Sequence, residues 1–86
     1  MVKHRQLKQD IADAIGRRIE MLRRDRGMTQ AALAELVGCC PQNVSRMEAG
    51  CYLPRLDTLA LYADALGVSM SSLVRSADTI VMQDLS

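Results

Sequence analysis

The chain has 86 residues, a net charge of +1, 49% hydrophobic residues and 2% aromatic residues. This length excludes more than one domain, and the absence of a run of about 18 apolar residues excludes a transmembrane helix. Because tyrosine is the only aromatic type, the core must be built from aliphatic side chains, which favours packed helices over a sheet.

The charges are distributed unevenly along the chain. Residues 1–26 carry eight Lys/Arg and four Asp/Glu, net +4, and residues 27–86 carry three Arg and six acids, net −3. A basic first third indicates one positive face, although a solvated helix of mixed charge has the same balance.

The N-terminus lacks the apolar stretch of a secretory signal. The three cysteines, two of them adjacent, form no disulfide framework, so we expect a cytoplasmic protein.

Two helices are predicted in the first half of the chain. Apolar residues spaced three and four apart predict the first helix from Leu7 to Arg26, with basic residues on its outer face. Gly27 is a suitable residue to follow its C-terminus. Thr29 is a suitable N-cap for the second helix, which ends at Gly38.

Three further helices follow. The third begins after Cys40 with Pro41, whose missing N–H is tolerated at the first helical position, and ends at Gly50. A fourth apolar stripe ends at Gly67, and Ser69 is a suitable cap for a short last helix.

Together these elements predict an all-α domain, a compact five-helix bundle, over residues 11–76. A basic N-terminal extension at 1–10 precedes it and a C-terminal tail at 77–86 follows it. The apolar residues 80–82 are compatible with a short strand, a helix extension or frayed chain. We expect terminal disorder.

The second and third helices, joined by a tight turn, are typical of a helix-turn-helix. A recognition helix enters the major groove, which is about 12 Å wide, and brings its first turns to the base edges. Its inner face must stay apolar, and Val44 and Met47 supply that face. Gln and Asn pair with adenine, and Arg pairs with guanine. The residues of these polar types on the outer face are Gln42, Asn43, Ser45 and Arg46.

Over about residues 14–75 the sequence resembles the Cro/XRE-type helix-turn-helix family, which includes the lambdoid phage repressors. The resemblance is carried by four segments in the family's order: IGRRIEMLRRDRGMTQAALAELVG, NVSRMEAG, LPRLDTLALYADALGVS and SSLV. It implies a lambda repressor-like domain that usually binds operator DNA as a homodimer.

The resemblance also implies which residues read bases. Pro41, Gln42 and Asn43 match the first exposed positions of the recognition helix, and Arg46 matches a reading position one turn further on. Ser45 would assist. The family often has a polar side chain where this chain has Pro41, which is limited to apolar contact with a thymine methyl.

Other positions match residues that hold the DNA backbone or the fold. Gln30 matches a glutamine that contacts phosphate and braces the recognition helix, and Thr29 matches a residue that also touches the backbone. Arg23 and Glu48 match a pair that commonly forms a structural salt bridge. The capping position holds Cys40, a poor N-cap. The arginines expected to position phosphates are Arg17, Arg18, Arg24 and Arg55.

Other kinds of site have little support in the sequence. Cys39, Cys40 and Cys51, with the single His4, lack the spacing of a zinc site, so we expect no metal and no cofactor. Redox sensing by Cys51 rests only on the presence of that residue. The chain has no phosphate loop and no nucleophile elbow, so we expect no enzyme.

The sequence therefore predicts a DNA-binding transcriptional regulator. We expect a dimeric repressor that binds double-stranded DNA at two half-sites about one helical turn apart. Leu53 and the last helix are the expected dimer surface. The alternative is a protein-interaction module, such as an antitoxin that binds a toxin partner. Binding that weakens steeply with salt would distinguish DNA from an apolar protein partner.

Overall fold

The computed structural model describes residues 4–85, and this part of the chain folds into five helices with no strand. The helices pack around one hydrophobic core, so the predicted all-α five-helix bundle is confirmed. None of them is long and apolar enough to cross a membrane. The helices are α1 (His4–Asp25), α2 (Gln30–Val37), α3 (Pro41–Glu48), α4 (Leu56–Leu66) and α5 (Met70–Leu85).

The core draws side chains from all five helices, and α1 lies against α3, α4 and α5. Aliphatic burial of this kind stabilises the fold by about 1.5–3 kcal/mol for each large side chain. Tyr62 is the one aromatic residue in this cluster. The largest fully buried side chains are Tyr62, Ile19, Leu33, Met47, Leu66, Leu73 and Val44.

The predicted helix starts are confirmed where a hydroxyl caps them. The Thr29 Oγ1 accepts a hydrogen bond from the Ala32 N–H at 3.0 Å, and the Ser69 Oγ accepts one from the Ser72 N–H at 3.2 Å. Each bond satisfies a backbone donor that the first turn of a helix leaves unpaired. These caps fix where α2 and α5 begin.

Two helices are longer than the sequence indicated. α1 begins at His4 rather than Leu7. α5 continues to Leu85, so the expected terminal disorder is wrong for residues 77–85. The added stretches, 4–6 and 77–85, contain no Gly or Pro, and α1 and α5 pack against each other, so tertiary packing supports these two helices. Residues 1–3 and 86 lie outside the described residues, and the domain boundaries at 11–76 stay a prediction.

The N-cap of α3 offers a way to stabilise the fold. Cys40 has extended N-cap geometry but its side chain makes no capping hydrogen bond. Cys40→Ser is expected to raise the free energy of unfolding by about 1 kcal/mol, because its hydroxyl can accept from the first turn of α3. Urea unfolding measures the gain, with Cys40→Ala as the matched control. A serine variant no more stable than the alanine variant would contradict this expectation.

Candidate nucleic-acid interface

The helix-turn-helix is formed by α2, a three-residue turn at 38–40 and α3. Gly38 has a left-handed backbone with φ of +89°, a conformation that glycine adopts without steric cost. The Gly38 and Cys39 N–H groups both donate to the Ala34 carbonyl, at 2.8 and 2.9 Å. This turn ends α2 sharply and leads the chain directly into α3.

α3 has one buried face and one exposed face. Val44 is 0% exposed and Met47 1% exposed, so the helix is docked on the core by its apolar side. Within residues 4–85, the side chains of the outer face make no hydrogen bond or ion pair with the rest of the chain, and they are therefore available to a ligand. The exposed residues of α3 include all the predicted base-reading residues: Pro41, Gln42, Asn43, Ser45 and Arg46.

A buried ion pair holds the C-terminal end of α3 in place. The Arg23 guanidinium donates to both carboxylate oxygens of Glu48, from Nε at 2.6 Å and from Nη2 at 3.1 Å. The Arg23 Nη1 also donates to the Met28 carbonyl at 2.7 Å. The hydrogen bond to Glu48 raises the pKa of Arg23, which keeps its charge. Arg23 and Glu48 thus join α1 to α3, as the family resemblance implies.

Gln30 adds α2 to this cluster. Its Nε2 donates to the Glu48 Oε1 at 3.0 Å, so the carboxylate is held by α1 and α2 together. Gln30 is half-buried and braces the recognition helix. Thr29 is exposed, and its hydroxyl is engaged as the cap of α2. The arrangement fixes the angle at which α2 presents α3.

The backbones of α1 and α3 meet at Gly16. A Cβ at this position would lie 2.5 Å from the Met47 carbonyl oxygen and 2.6 Å from that of Glu48. Gln9 adds a second link, because its Nε2 donates to the Gly50 carbonyl at 2.9 Å, just after α3. Neither residue was identified from the sequence. The available signal was a glycine inside an amphipathic helix, which often marks a close approach.

Three of the four predicted phosphate-binding arginines are exposed. Arg17 and Arg24 lie about two turns apart on one face of α1. The Arg24 Nη2 is 3.6 Å from Glu20, and the Arg55 Nε is 3.5 Å from Asp57. Exposed pairs of this kind contribute about 0–1 kcal/mol. These arginines can therefore leave their partners for a phosphate at little cost.

Arg18, the fourth of these arginines, makes hydrogen bonds within the domain. Its Nε donates to the Ser72 carbonyl at 3.2 Å and its Nη2 to the Ser72 Oγ at 3.1 Å. Arg18 is also about 200° around α1 from Gly16, which contacts α3. α5 thus covers this side of α1 and holds the guanidinium at its first turn, and the phosphate contact of Arg18 stays a prediction.

The cysteines are free thiols in this structure. Cys39 is half-buried, and Cys40 and Cys51 are exposed. Among the described residues no group of three or more His, Cys, Asp or Glu side chains is placed to hold a metal ion.

Known proteins are similar to this chain in sequence and in fold. The family model of the helix-turn-helix domain matches residues 14–75. An immunity repressor protein of Bacillus phage phi105 is 33% identical over 70 residues, which cover 81% of this chain and 48% of the repressor. The chain thus spans about half the length of this curated relative.

Two solved structures resemble the fold closely. The clp gene regulator ClgR from C. glutamicum has a TM-score of 0.74 and 29% identity, covering 80% of this chain and 90% of ClgR. The restriction-modification controller protein C.AhdI from Aeromonas hydrophila has a TM-score of 0.69 and 30% identity, covering 74% of this chain and 96% of C.AhdI. The family model matches residues 14–75, and in the structure α3 is docked on the core with its C-terminal end held by the Arg23–Glu48 pair. The chain therefore belongs to the helix-turn-helix family of Cro/XRE type.

Proposed function

We propose that this protein is a sequence-specific, DNA-binding transcriptional regulator that acts as a dimeric repressor in the cytoplasm. The observation that carries this proposal is the outer face of α3, where polar side chains that make no hydrogen bond or ion pair with the described residues lie on a helix held by the Arg23–Glu48 pair. The relative from phage phi105 is a repressor, ClgR is a gene regulator and C.AhdI is a controller protein, which supports the same class.

The exposed face of α3 supplies the chemistry of base reading. Gln42 and Asn43 each offer an amide that donates to and accepts from adenine, and Arg46 offers two parallel donors to guanine O6 and N7. Ser45 assists with its hydroxyl, and Pro41 contacts a thymine methyl. The eight residues of α3 span about 12 Å, which is also about the width of the major groove.

Backbone contacts position the domain on DNA. Arg17, Arg24 and Arg55 are the cations that we assign to phosphates, with Thr29 and Gln30 at the N-terminus of α2, whose free N–H groups favour an anion. Each phosphate contact releases condensed counterions, so affinity falls steeply as salt rises. These contacts supply affinity and orientation, and α3 supplies the choice of sequence.

The dimer surface that we propose lies beside α4. Leu53 is 45% exposed and Leu56 is 72% exposed, and exposed apolar patches often mark protein–protein interaction sites. A shallow groove of about 560 Å³ at the junction of α4 and α5 is lined by the apolar Leu56, Ala60 and Met70 and by the charged Arg55 and Asp57. A second copy seated there has to leave the Arg55 guanidinium free for phosphate. A second copy that covers this groove would bury the apolar side chains and place two recognition helices on successive turns of one DNA face.

Arg46→Ala tests the reading of bases. We expect a loss of about 1–3 kcal/mol in binding to the preferred sequence, with relaxed discrimination at one base pair, because the guanidinium is lost from the outer face of α3. Titration of matched and single-mismatch duplexes measures both effects.

Arg24→Ala is the matched control, since it removes the same side chain from α1. It should weaken binding to all sequences alike and reduce the salt dependence by about one phosphate contact. If Arg46→Ala instead weakens binding to every sequence equally, Arg46 contacts phosphate and the proposed reading at this position is rejected.

A further inference from the structure

A small cavity lies directly behind the start of the recognition helix. It has a volume of about 200 Å³ and is lined by residues of the turn, of α3 and of α4. Cys39 and Asn43 line it from the helix-turn-helix, and Tyr52, Thr58 and Tyr62 line it from the other side. Asn43 is one of the predicted base-reading residues, so the cavity shares a side chain with the DNA-facing surface.

Tyr62 has an unpaired polar group in this region. Its side chain is 1% exposed, and its hydroxyl is buried without a hydrogen-bond partner in the part of the chain that the structure describes. Leaving such a group unpaired costs about 1–3 kcal/mol. Burial, and secondly the neighbouring Cys39, raise the pKa of Tyr62 well above its usual range, which is consistent with a hydroxyl close to the Cys39 sulfur. A tyrosine hydroxyl can donate its proton in a hydrogen bond.

Cys39 is the thiol that shares the cavity with this hydroxyl. It is half-buried and packs against the core, whereas Cys40 and Cys51 are exposed and are not among the cavity residues. A partly enclosed thiol is reached by a small molecule but shielded from large ones. An oxidised sulfur there is also shielded from the thiols of other proteins, which would otherwise reduce it or form a disulfide with it.

We propose that Cys39 is a site of oxidation to sulfenic acid by a small hydroperoxide, and that the Tyr62 hydroxyl donates a hydrogen bond to the added oxygen. The Cys39 thiolate attacks one peroxide oxygen, an S–O bond forms and the O–O bond breaks. For hydrogen peroxide, the leaving hydroxide takes up the thiol proton and departs as water. Sulfur loses two electrons and the peroxide gains two.

The position of Cys39 couples this modification to α3. Cys39 immediately precedes the N-cap of α3 and lines the same cavity as Asn43. An oxygen added in this space shifts Asn43 or the first turn of α3, so oxidation is expected to reduce DNA affinity. This coupling rests on the proposed function, whereas the modification itself does not.

The experiment uses the Cys40→Ser/Cys51→Ser variant, in which Cys39 is the only thiol. After treatment with hydrogen peroxide, dimedone traps sulfenic acid and peptide mass spectrometry locates the adduct. We expect labelling of Cys39. When Tyr62→Phe is added to this variant, the yield of the dimedone adduct at Cys39 should fall roughly 2- to 10-fold, the effect of one hydrogen bond. Phe keeps the ring and removes an unpaired hydroxyl, so a thermal melt at least as high as that of the parent variant is expected.

Two results overturn the proposal: Cys39 unlabelled in the folded protein while the urea-unfolded chain is labelled, or equal labelling with and without the Tyr62 hydroxyl. The labelling uses no DNA, so its outcome is independent of the proposed function. The coupling is tested by duplex binding before and after peroxide, with a variant that lacks all three thiols as control. Equal affinity of the oxidised and reduced forms rejects the coupling alone.

Discussion

Arg23→Ala is expected to lower the free energy of unfolding by about 3–5 kcal/mol, since it leaves the buried Glu48 carboxylate without its cation. The remaining side-chain partner of Glu48 is Gln30, whose Nε2 lies 3.0 Å away and carries no charge. Small domains have total stabilities of about 5–15 kcal/mol, so this loss is a large part of the whole. Urea unfolding monitored by circular dichroism measures it.

The control replaces both members of the pair. Arg23→Met together with Glu48→Leu removes the charges and keeps apolar volume, and it should restore most of the lost stability, because exchanges of this kind are often neutral or stabilising. The structural role of the pair would be rejected if Arg23→Ala melted like the wild-type protein while DNA binding weakened. That result would make Arg23 a DNA contact.

Gly16→Ala is the second substitution with a large expected effect. In the interior of a helix this change normally stabilises by about 0.5–1 kcal/mol. At Gly16 we expect the opposite sign, a loss of about 3 kcal/mol, because the new Cβ would meet the Met47 carbonyl oxygen at 2.5 Å. The Cβ is fixed to the backbone of α1 and the carbonyl oxygen belongs to the backbone of α3, so the clash is relieved only if α1 and α3 move apart.

Urea unfolding of Gly16→Ala beside Gly27→Ala separates a clash from backbone strain. Gly27 has a φ of +67°, and a Cβ added there would meet nothing within 4 Å. An alanine at Gly27 is therefore destabilised only by its left-handed backbone, by about 1–2 kcal/mol. Gly16→Ala should be the less stable of the two. A Gly16→Ala protein as stable as the wild type would show that α1 and α3 are not in close backbone contact.

Local signals were enough to predict the helix-turn-helix. Thr29 and Ser69 cap their helices with their own hydroxyls, and Gly38 ends α2, so each boundary depends on residues a few positions apart. The exposed face of α3 followed from the spacing of Val44 and Met47 alone. Signals between residues a few positions apart can be recognised in a short segment of the sequence.

The errors and omissions all depend on contacts between distant parts of the chain. The bonds of Arg18 to Ser72 in α5 were not foreseen, because they join residues 54 positions apart. The length of α5 likewise depends on its packing against α1. The cavity lined by Cys39 and Tyr62 joins a turn to a helix that follows much later, and no periodicity predicts that both residues line it.

Selection of binding sites from a random-sequence DNA library, at two salt concentrations, tests the central claim most directly. A dimer that reads DNA through α3 predicts an enriched palindrome, with half-sites about 34–36 Å apart centre to centre and affinity that falls as salt rises. Weak, salt-sensitive binding without any enriched sequence would contradict the claim, and would favour a protein partner for the exposed surface of this domain.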